Sequence, residues 1–282
     1  MAADSVWRRL FRLWALYGSM DLLWLARGPR IAVPFILSDF VTGIATITAT
    51  FLLAERFNGI GPWAKPQVLF LLGYSLLVRG LIDVLFNFNM AQVSRRIGRG
   101  QLDHLLIQPQ PLWMAFLTEG FAPFSGAGML LPGLGLTVYS VAELQLSVSG
   151  TWVALFALYL VGSIAIVLSF EYAWASVAFW APRAAEEINS DTWRLITQLA
   201  PFPLEGIAGW ALAGLLTILP VGLVAWYPAR VLLRMAGPPW APLVLPVAAL
   251  IASAFATWIF TRGLNQYGRT GSSRYLSLGH RR

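Results

Sequence analysis

The chain has 282 residues, of which 57% are hydrophobic and only 12% charged. A soluble domain carries about 25% charged residues, so this chain has too little charge to cover a soluble surface, and its mean hydropathy of +0.66 agrees. The absence of cysteine excludes disulfides, thiolate metal sites and cysteine nucleophiles, and two histidines, His104 and His280, are too few for a histidine metal cluster. The net charge of +7 could mark a nucleic-acid binder, but the arginines cluster at the ends of apolar runs, so membrane topology explains them and no nucleic-acid partner is expected.

Residues 5–26 read as an amphipathic interface helix. Trp7, Leu10, Phe11, Trp14 and Tyr17 recur at helical spacing, while Arg8, Arg9 and Arg12 fall largely off that face. A signal peptide fits less well, because Asp21 and Arg27 interrupt the segment and no small-residue cleavage site follows. Residues 31–54 are the first predicted span, broken only by Asp39. Residues 67–91 are the second, after a turn-rich loop, and carry Arg79 and Asp83, four apart and able to pair on one helix face.

Residues 94–111, SRRIGRGQLDHLLIQPQP, are too polar for lipid. Gly98 and Gly100 are expected to end the second span's helix. Residues 101–108 then form a short helix with Asp103 in its first turn and Leu102, Leu105 and Leu106 on one face, closed by Pro109 and Pro111. On the residues alone, those leucines could lie in the headgroup layer or present a docking face. Residues 112–141 are the third span, rich in glycine, bent at Pro123 and Pro132, with Glu119 as its carboxylate. Residues 151–180 are the fourth and contain Glu171.

The fifth span has two readings: hydropathy selects residues 207–233, whereas residues 187–203 would leave 207–233 as re-entrant helices. Residues 240–260 are the last span. Both readings give six spans with both termini on one side. If that side is cytoplasmic, it holds Arg8, Arg9, Arg12, Arg27, Arg30, Arg95, Arg96, Arg99, Arg183, Arg262, Arg269, Arg274, Arg281 and Arg282. The outer side then holds only Arg56, Lys65, Arg230 and Arg234, and this imbalance orients the chain.

Lys65, the single lysine, is followed by Pro66, so the chain has no Walker phosphate loop. A Ser–His hydrolase within the spans has no histidine to serve it. A proton relay or an intramembrane enzyme could use Glu119 or Glu171, and buried hydrogen-bonded carboxylates explain them equally well.

The amphipathic amino-terminal helix, the six spans, the loop GRGQLDHLLIQP and the late FPLEGIAGW…LLTILPVGLVAWYP together resemble an ABC-2 type exporter permease, of the bacterial subfamily whose ATPase is a separate chain. The resemblance implies an all-α membrane protein of the ABC-2 type (type V exporter) fold. It implies that Gly100, Leu102, Asp103, Leu105, Leu106 and Pro109 form a coupling helix for the ATPase; Arg99 and His104, in the same stretch, are our further candidates for contact with it. It assigns Phe202, Pro203, Leu204, Pro220, Tyr227 and Pro228 to the re-entrant motif, which selects 187–203 as the fifth span; Ala208 stands where the family often has proline. By the same analogy Arg79, Asp83, Asn87 and Asn89 are candidates to line a substrate pathway between two permease chains. The implied function is non-catalytic export of an amphiphilic or drug-like substrate across a bacterial inner membrane. The implied partners are two ATPase subunits, which hold ATP and magnesium, a second permease chain, identical or paralogous, and membrane lipids. Lipid or polysaccharide export is the alternative within the fold; a membrane anchor for a soluble partner lies outside it.

Overall fold

The computed structural model describes residues 6–56, 59–86, 89–98, 100–235 and 237–270, with backbone alone for residues 89–92, 98, 183 and 270. Helix α1 (Val6–Arg27) leads through Gly28 into α2 (Pro29–Arg56). A two-residue antiparallel ladder, β1 (Gly59–Ile60) with β2 (Trp63–Ala64), turns the chain into α3 (Lys65–Leu85). The short helices α4 (Asn89–Gly98), α5 (Leu102–Leu106) and α6 (Leu112–Thr118) follow, then α7 (Leu130–Glu143), α8 (Gly150–Ser176) and α9 (Pro182–Leu199). Helix α10 (Gly209–Thr217) and helix α11 (Tyr227–Leu232), with a π turn at Gly222–Trp226 before it, precede α12 (Ala241–Thr270).

Helix α3 is the centre. Its apolar residues are buried almost all round, from Val68 to Ile82. Lipid is as apolar as a leucine side chain, so helices associate there by close contact, not by escape from water. The glycines provide that contact: a Cβ on Gly80 would sit 2.4 Å from the Leu130 nitrogen, and one on Gly133 would sit 2.7 Å from that of Leu77. These pairs also show that α3 and α7 run antiparallel.

The remaining directions follow in the same way. Tyr74 meets Ser163 and Phe156 midway along both helices, and Trp63 before α3 and Trp152 at the start of α8 both bond to the 205–232 segment, so α3 and α8 start at the same end of the bundle. Tyr159 bonds Pro242, and Ser169 meets Ser253 at 3.0 Å, so α12 runs beside α8 and parallel to it. Two parallel neighbours need a chain segment that returns between them, and α9 is that segment. It begins where Arg95 meets Glu186, and the chain beyond it reaches the opposite end, where Glu205 accepts from Trp63. We call the end holding α1, α4, α5 and the start of α9 the basic end, and the other the far end.

Five described helices are long and apolar enough to cross a membrane: α2, α3, the segment Ser125–Glu143, α8 with the turn after it, and α12. The bent pair α10 and Gly222–Leu232 passes the same test, with a bend of 79°. Its two ends nevertheless lie together at the far end: Glu205 is held by Trp63 and Trp226, and the Leu232 carbonyl accepts from Trp152 in the first turn of α8. The pair therefore enters and leaves on one side, and α9, about 27 Å long by the helical rise, makes the remaining traverse.

Several boundaries differ from expectation. The second span does not run to residue 91: α3 ends at Leu85, because the Val84 carbonyl accepts from Ala122 and a Cβ on Gly120 would come within 1.9 Å of the Phe86 oxygen. The third span is not continuous over 112–141. It breaks after Thr118, and the proline that causes the break is Pro123, whereas Pro132 falls in the first turn of α7 and is accommodated there. The amide groups freed at the break are taken by α1, since Asp21 Oδ2 accepts from the Phe124 and Ser125 nitrogens at 2.8 and 3.0 Å. Helix α9 starts at Pro182, five residues before the expected span, with proline at the position where a missing N–H costs nothing. The last helix runs to Thr270, ten residues past the expected end of its span at 260, because side-chain contacts at the basic end hold its final turns.

Candidate functional site: the basic-end relay and the polar face of α9

The amino-terminal helix is fastened to the basic end by single contacts along its length. Arg9 donates to the Pro109 carbonyl at 2.9 Å, Trp14 to that of Leu117 at 3.3 Å, and Leu10 is buried. Trp7 and Phe11, expected on the same apolar face, are 70% and 62% exposed and point away from the bundle. Outward-facing aromatics of this kind suit an interface helix.

Helix α5 is shorter than the expected 101–108, and its leucines divide. Leu102 and Leu105 are buried with Val93, Ile97, Phe116 and Phe179. Leu106 is 44% exposed and Ile107, which the sequence pattern did not single out, is 80% exposed. The three leucines therefore do not form one docking face. Consecutive helix residues are separated by about 100°, and Leu106, at the helix's last position, falls outside the arc that the bundle covers. His104, Gln101 and Pro109 are exposed beside Ile107. Asp103 is turned to its own bundle: the Tyr267 hydroxyl donates to its Oδ1 at 2.6 Å. Gly100 has φ +70°, the left-handed region that glycine occupies without strain, and makes the turn into α5. Arg99 lies outside the described residues.

Two ion pairs brace this end. Arg95 meets Glu186 at 2.7 Å, and Arg96 meets Glu119 at 2.6 Å. Glu119, expected inside a span, thus sits in the break between α6 and α7 with an arginine partner. Sequence gave no signal for either pair, since the partners lie 91 and 23 residues apart.

Among the pathway candidates, Arg79 and Asp83 pair at 3.6 Å and are only part exposed. Arg79 lines a cavity of about 70 Å³ with Thr42, Thr46, Ser75, Trp193 and Thr197, which brings α2, α3 and α9 to one polar surface. Asn87 lies outside the described residues, as does the side chain of Asn89. Helix α9 adds residues that were not among the pathway candidates: Glu187, Asp191, Arg194 and Gln198 are exposed along one side. The opposite side carries Ala185, Asn189, Ile196 and Ala200, all buried.

Re-entrant motif residues hold the far end. Leu204 is buried in the main core, Pro220 and Pro228 are buried, and the Tyr227 hydroxyl donates to the Ala241 carbonyl at 2.9 Å; Phe202 is 40% exposed and Pro203 partly buried. The key residue there, Glu205, was not singled out by the motif. Its Oε2 accepts from the indoles of Trp63 and Trp226 at 2.5 and 2.8 Å, and its Oε1 lies 3.6 Å from Arg230, whose guanidinium stacks on the Trp226 ring.

Glu171 is 1% exposed on α8, and neither carboxyl oxygen has a protein partner. A buried polar group without a partner costs about 1–3 kcal/mol. Replacing Glu171 by Met, close in size and apolar, is therefore expected to stabilise the purified protein by about that amount. Thermal unfolding in detergent measures it, and a lower midpoint would show that the carboxyl is satisfied. Among the described residues, no group of three His, Asp or Glu could hold a metal ion.

Residues 40–271 match the family model of the ABC-2 family transporter proteins, more than half of the chain. No curated protein and no solved structure matches it. The matched region takes in the latter part of α2, the other four long candidate spans, the short helices α4 to α6 and the re-entrant pair. The chain belongs to the ABC-2 family of transporter proteins, as a multi-pass membrane permease of a family whose members work with an ABC ATPase.

Proposed function

We propose that this chain is the permease subunit of an ATP-driven exporter in a bacterial inner membrane, with both termini in the cytoplasm. The basic end then faces the cytoplasm, a reading supported by the excess of arginine there. ATP and magnesium bind in two copies of the partner ATPase, which dock against α5. Closure of those subunits pushes on α5 and α1, and the spans tilt between inward-facing and outward-facing states. ATP biases the two states only through contacts that differ between them.

One observation carries this reading. Helix α9 traverses the bundle, yet one side of it presents Glu187, Asp191, Arg194 and Gln198 with no protein cover. Charged groups in lipid are costly and face the bundle interior or water. This face, with Arg79, Asp83 and the hydroxyls of Thr42 and Thr46, lines a wet pathway whose other wall is a second permease chain, identical or paralogous. The larger cavities favour an amphiphile over a polysaccharide. The cavity of about 520 Å³ between α6, α8 and α12 is lined mainly by apolar and aromatic side chains, among them Phe86, Trp113, Phe116 and Phe260.

The chain has no cysteine, so single cysteines report directly on water. Asp191→Cys and Gln198→Cys are expected to react with a membrane-impermeant maleimide in the assembled complex, while Leu250→Cys on the exposed side of α12 stays unlabelled. Protection of both α9 positions in every nucleotide state would sink the pathway assignment. ATP-dependent uptake of an amphiphilic dye into inverted vesicles tests the outward direction.

A further inference from the structure

The bundle has two halves. Helix α3 packs chiefly against α7, with α2 beside them, and α8 packs chiefly against α12, with α9 lying against α8 and against α4. Helix α5 belongs by sequence to the first half, since it lies on the connection from α3 to α7. The chain joins it to the second half only through α6, α7 and the short connection at 144–149, which lies at the far end. A push on α5 reaches α8, α9 and α12 directly, at the basic end, through side-chain contacts.

A short polar contact runs from α5 itself to the last helix. Tyr267 is 4% exposed and donates to Asp103 Oδ1 at 2.6 Å. A hydrogen bond to a charged acceptor is stronger than one between neutral groups and is strongly directional. The Tyr267 ring is itself held: it packs edge-on to Phe179 at 5.8 Å, and Phe179 packs on Phe260 at 5.6 Å. A Cβ on Gly263 would lie 2.1 Å from the Phe179 ring, so α12 sits flush against that ring. Phe179 closes the turn between α8 and α9. Tyr267 thus joins α5 to the place where α8, α9 and α12 meet. The same contact explains why α12 stays helical past its apolar stretch. It also explains why Asp103 is turned inward while its neighbours His104 and Ile107 face outward.

We propose that Asp103 and Tyr267 form the latch through which motion of α5 is passed to the α8–α9–α12 half. Tyr267 is a positioning residue: it touches neither nucleotide nor substrate. The proposal rests on the export reading above, in which the ATPase acts on α5.

The test uses the full complex with its ATPase in nanodiscs and the Gln198→Cys reporter on α9. The reading is the change in maleimide labelling between nucleotide-free and vanadate-trapped states. Tyr267→Phe keeps the ring and removes only the hydroxyl. It is expected to copurify with the ATPase and melt as the parent does, while the nucleotide-driven labelling change falls roughly tenfold, the scale of one hydrogen bond to a charged acceptor. Asp103→Ala is expected to match it, and the double variant to be no worse than either, because both remove the same contact. Asp103→Asn retains an acceptor oxygen and should recover part of the response. A full labelling change in both Tyr267→Phe and Asp103→Ala overturns the latch. If Tyr267→Phe fails to fold, Asp103→Ala decides alone. A parent complex with no nucleotide-driven change at all overturns the export reading, and the latch with it. Loss of copurification in the variants also overturns it, by placing the pair in the docking surface itself.

Discussion

Ile107→Asp is expected to free the chain from its ABC ATPase while leaving the membrane fold intact. Ile107 is 80% exposed at the end of α5, next to exposed Leu106 and His104, so a charge there meets only water in the isolated chain. In the proposed docked complex the same side chain would be an apolar anchor. Disrupting an anchor of that kind typically costs 2 kcal/mol or more, roughly a thirtyfold loss of affinity. The matching control is Leu102→Ala. Leu102 has no exposed surface, and truncating a buried leucine costs about 2–5 kcal/mol of stability through the cavity it leaves. The two variants should therefore fail in opposite ways. Ile107→Asp should melt at the parent temperature and lose the ATPase on copurification. Leu102→Ala should melt lower, and the fraction that folds should still bind. Retained binding by Ile107→Asp together with Leu106→Arg would remove α5 from the docking surface.

That contrast shows how far the sequence could be read. The apolar runs announced the long helices, because a run of about 20 apolar residues can hardly be anything else. The interface helix was legible from its arginines and aromatics. The division of Leu102 and Leu105 from Leu106 was not. A five-residue helix makes little more than one turn, too short for periodicity to fix which edge of a leucine arc is covered. Helix α9 escaped hydropathy for a different reason, and only the family resemblance selected 187–203 as a span. Hydropathy scores composition, and a crossing segment with Glu186, Glu187, Asp191 and Arg194 fails that test. The parallel run of α8 and α12, a fact of packing, is what requires α9 to cross. The break at Pro123 was visible as a proline but not as a site, since Asp21, which satisfies the broken turn, lies over a hundred residues earlier. Contacts such as Tyr267 with Asp103, 164 residues apart, have no local signature at all.

Glu205 is the far-end counterpart, and its removal should have the second large effect. The carboxylate gathers two indole N–H groups and one guanidinium, and these come from three places: the ladder before α3, the π turn, and α11. No other described side chain joins the ladder to the re-entrant pair by hydrogen bonds. Glu205→Ala leaves two buried indole donors and an arginine without their acceptor. Breaking a largely buried pair on one side costs about 3–5 kcal/mol, a large share of a typical folding free energy. The damage should be local, because α3, α7, α8 and α12 keep all their own contacts. The re-entrant pair should loosen from Trp63 while the long helices stay paired. Tryptophan fluorescence reads this directly, since Trp63 and Trp226 lose the carboxylate and gain water. Limited proteolysis between α9 and α12 should become faster, and the basic end should still bind the ATPase. Glu205→Gln keeps one acceptor oxygen for the indoles and gives up the ion pair with Arg230, so it should fall between parent and Ala. If Glu205→Ala leaves both fluorescence and proteolysis unchanged, the hairpin is held by its apolar contacts with Leu204 and Leu216 instead. In that case the carboxylate serves the pathway and not the fold, and its loss should then appear in ATP-dependent dye uptake alone.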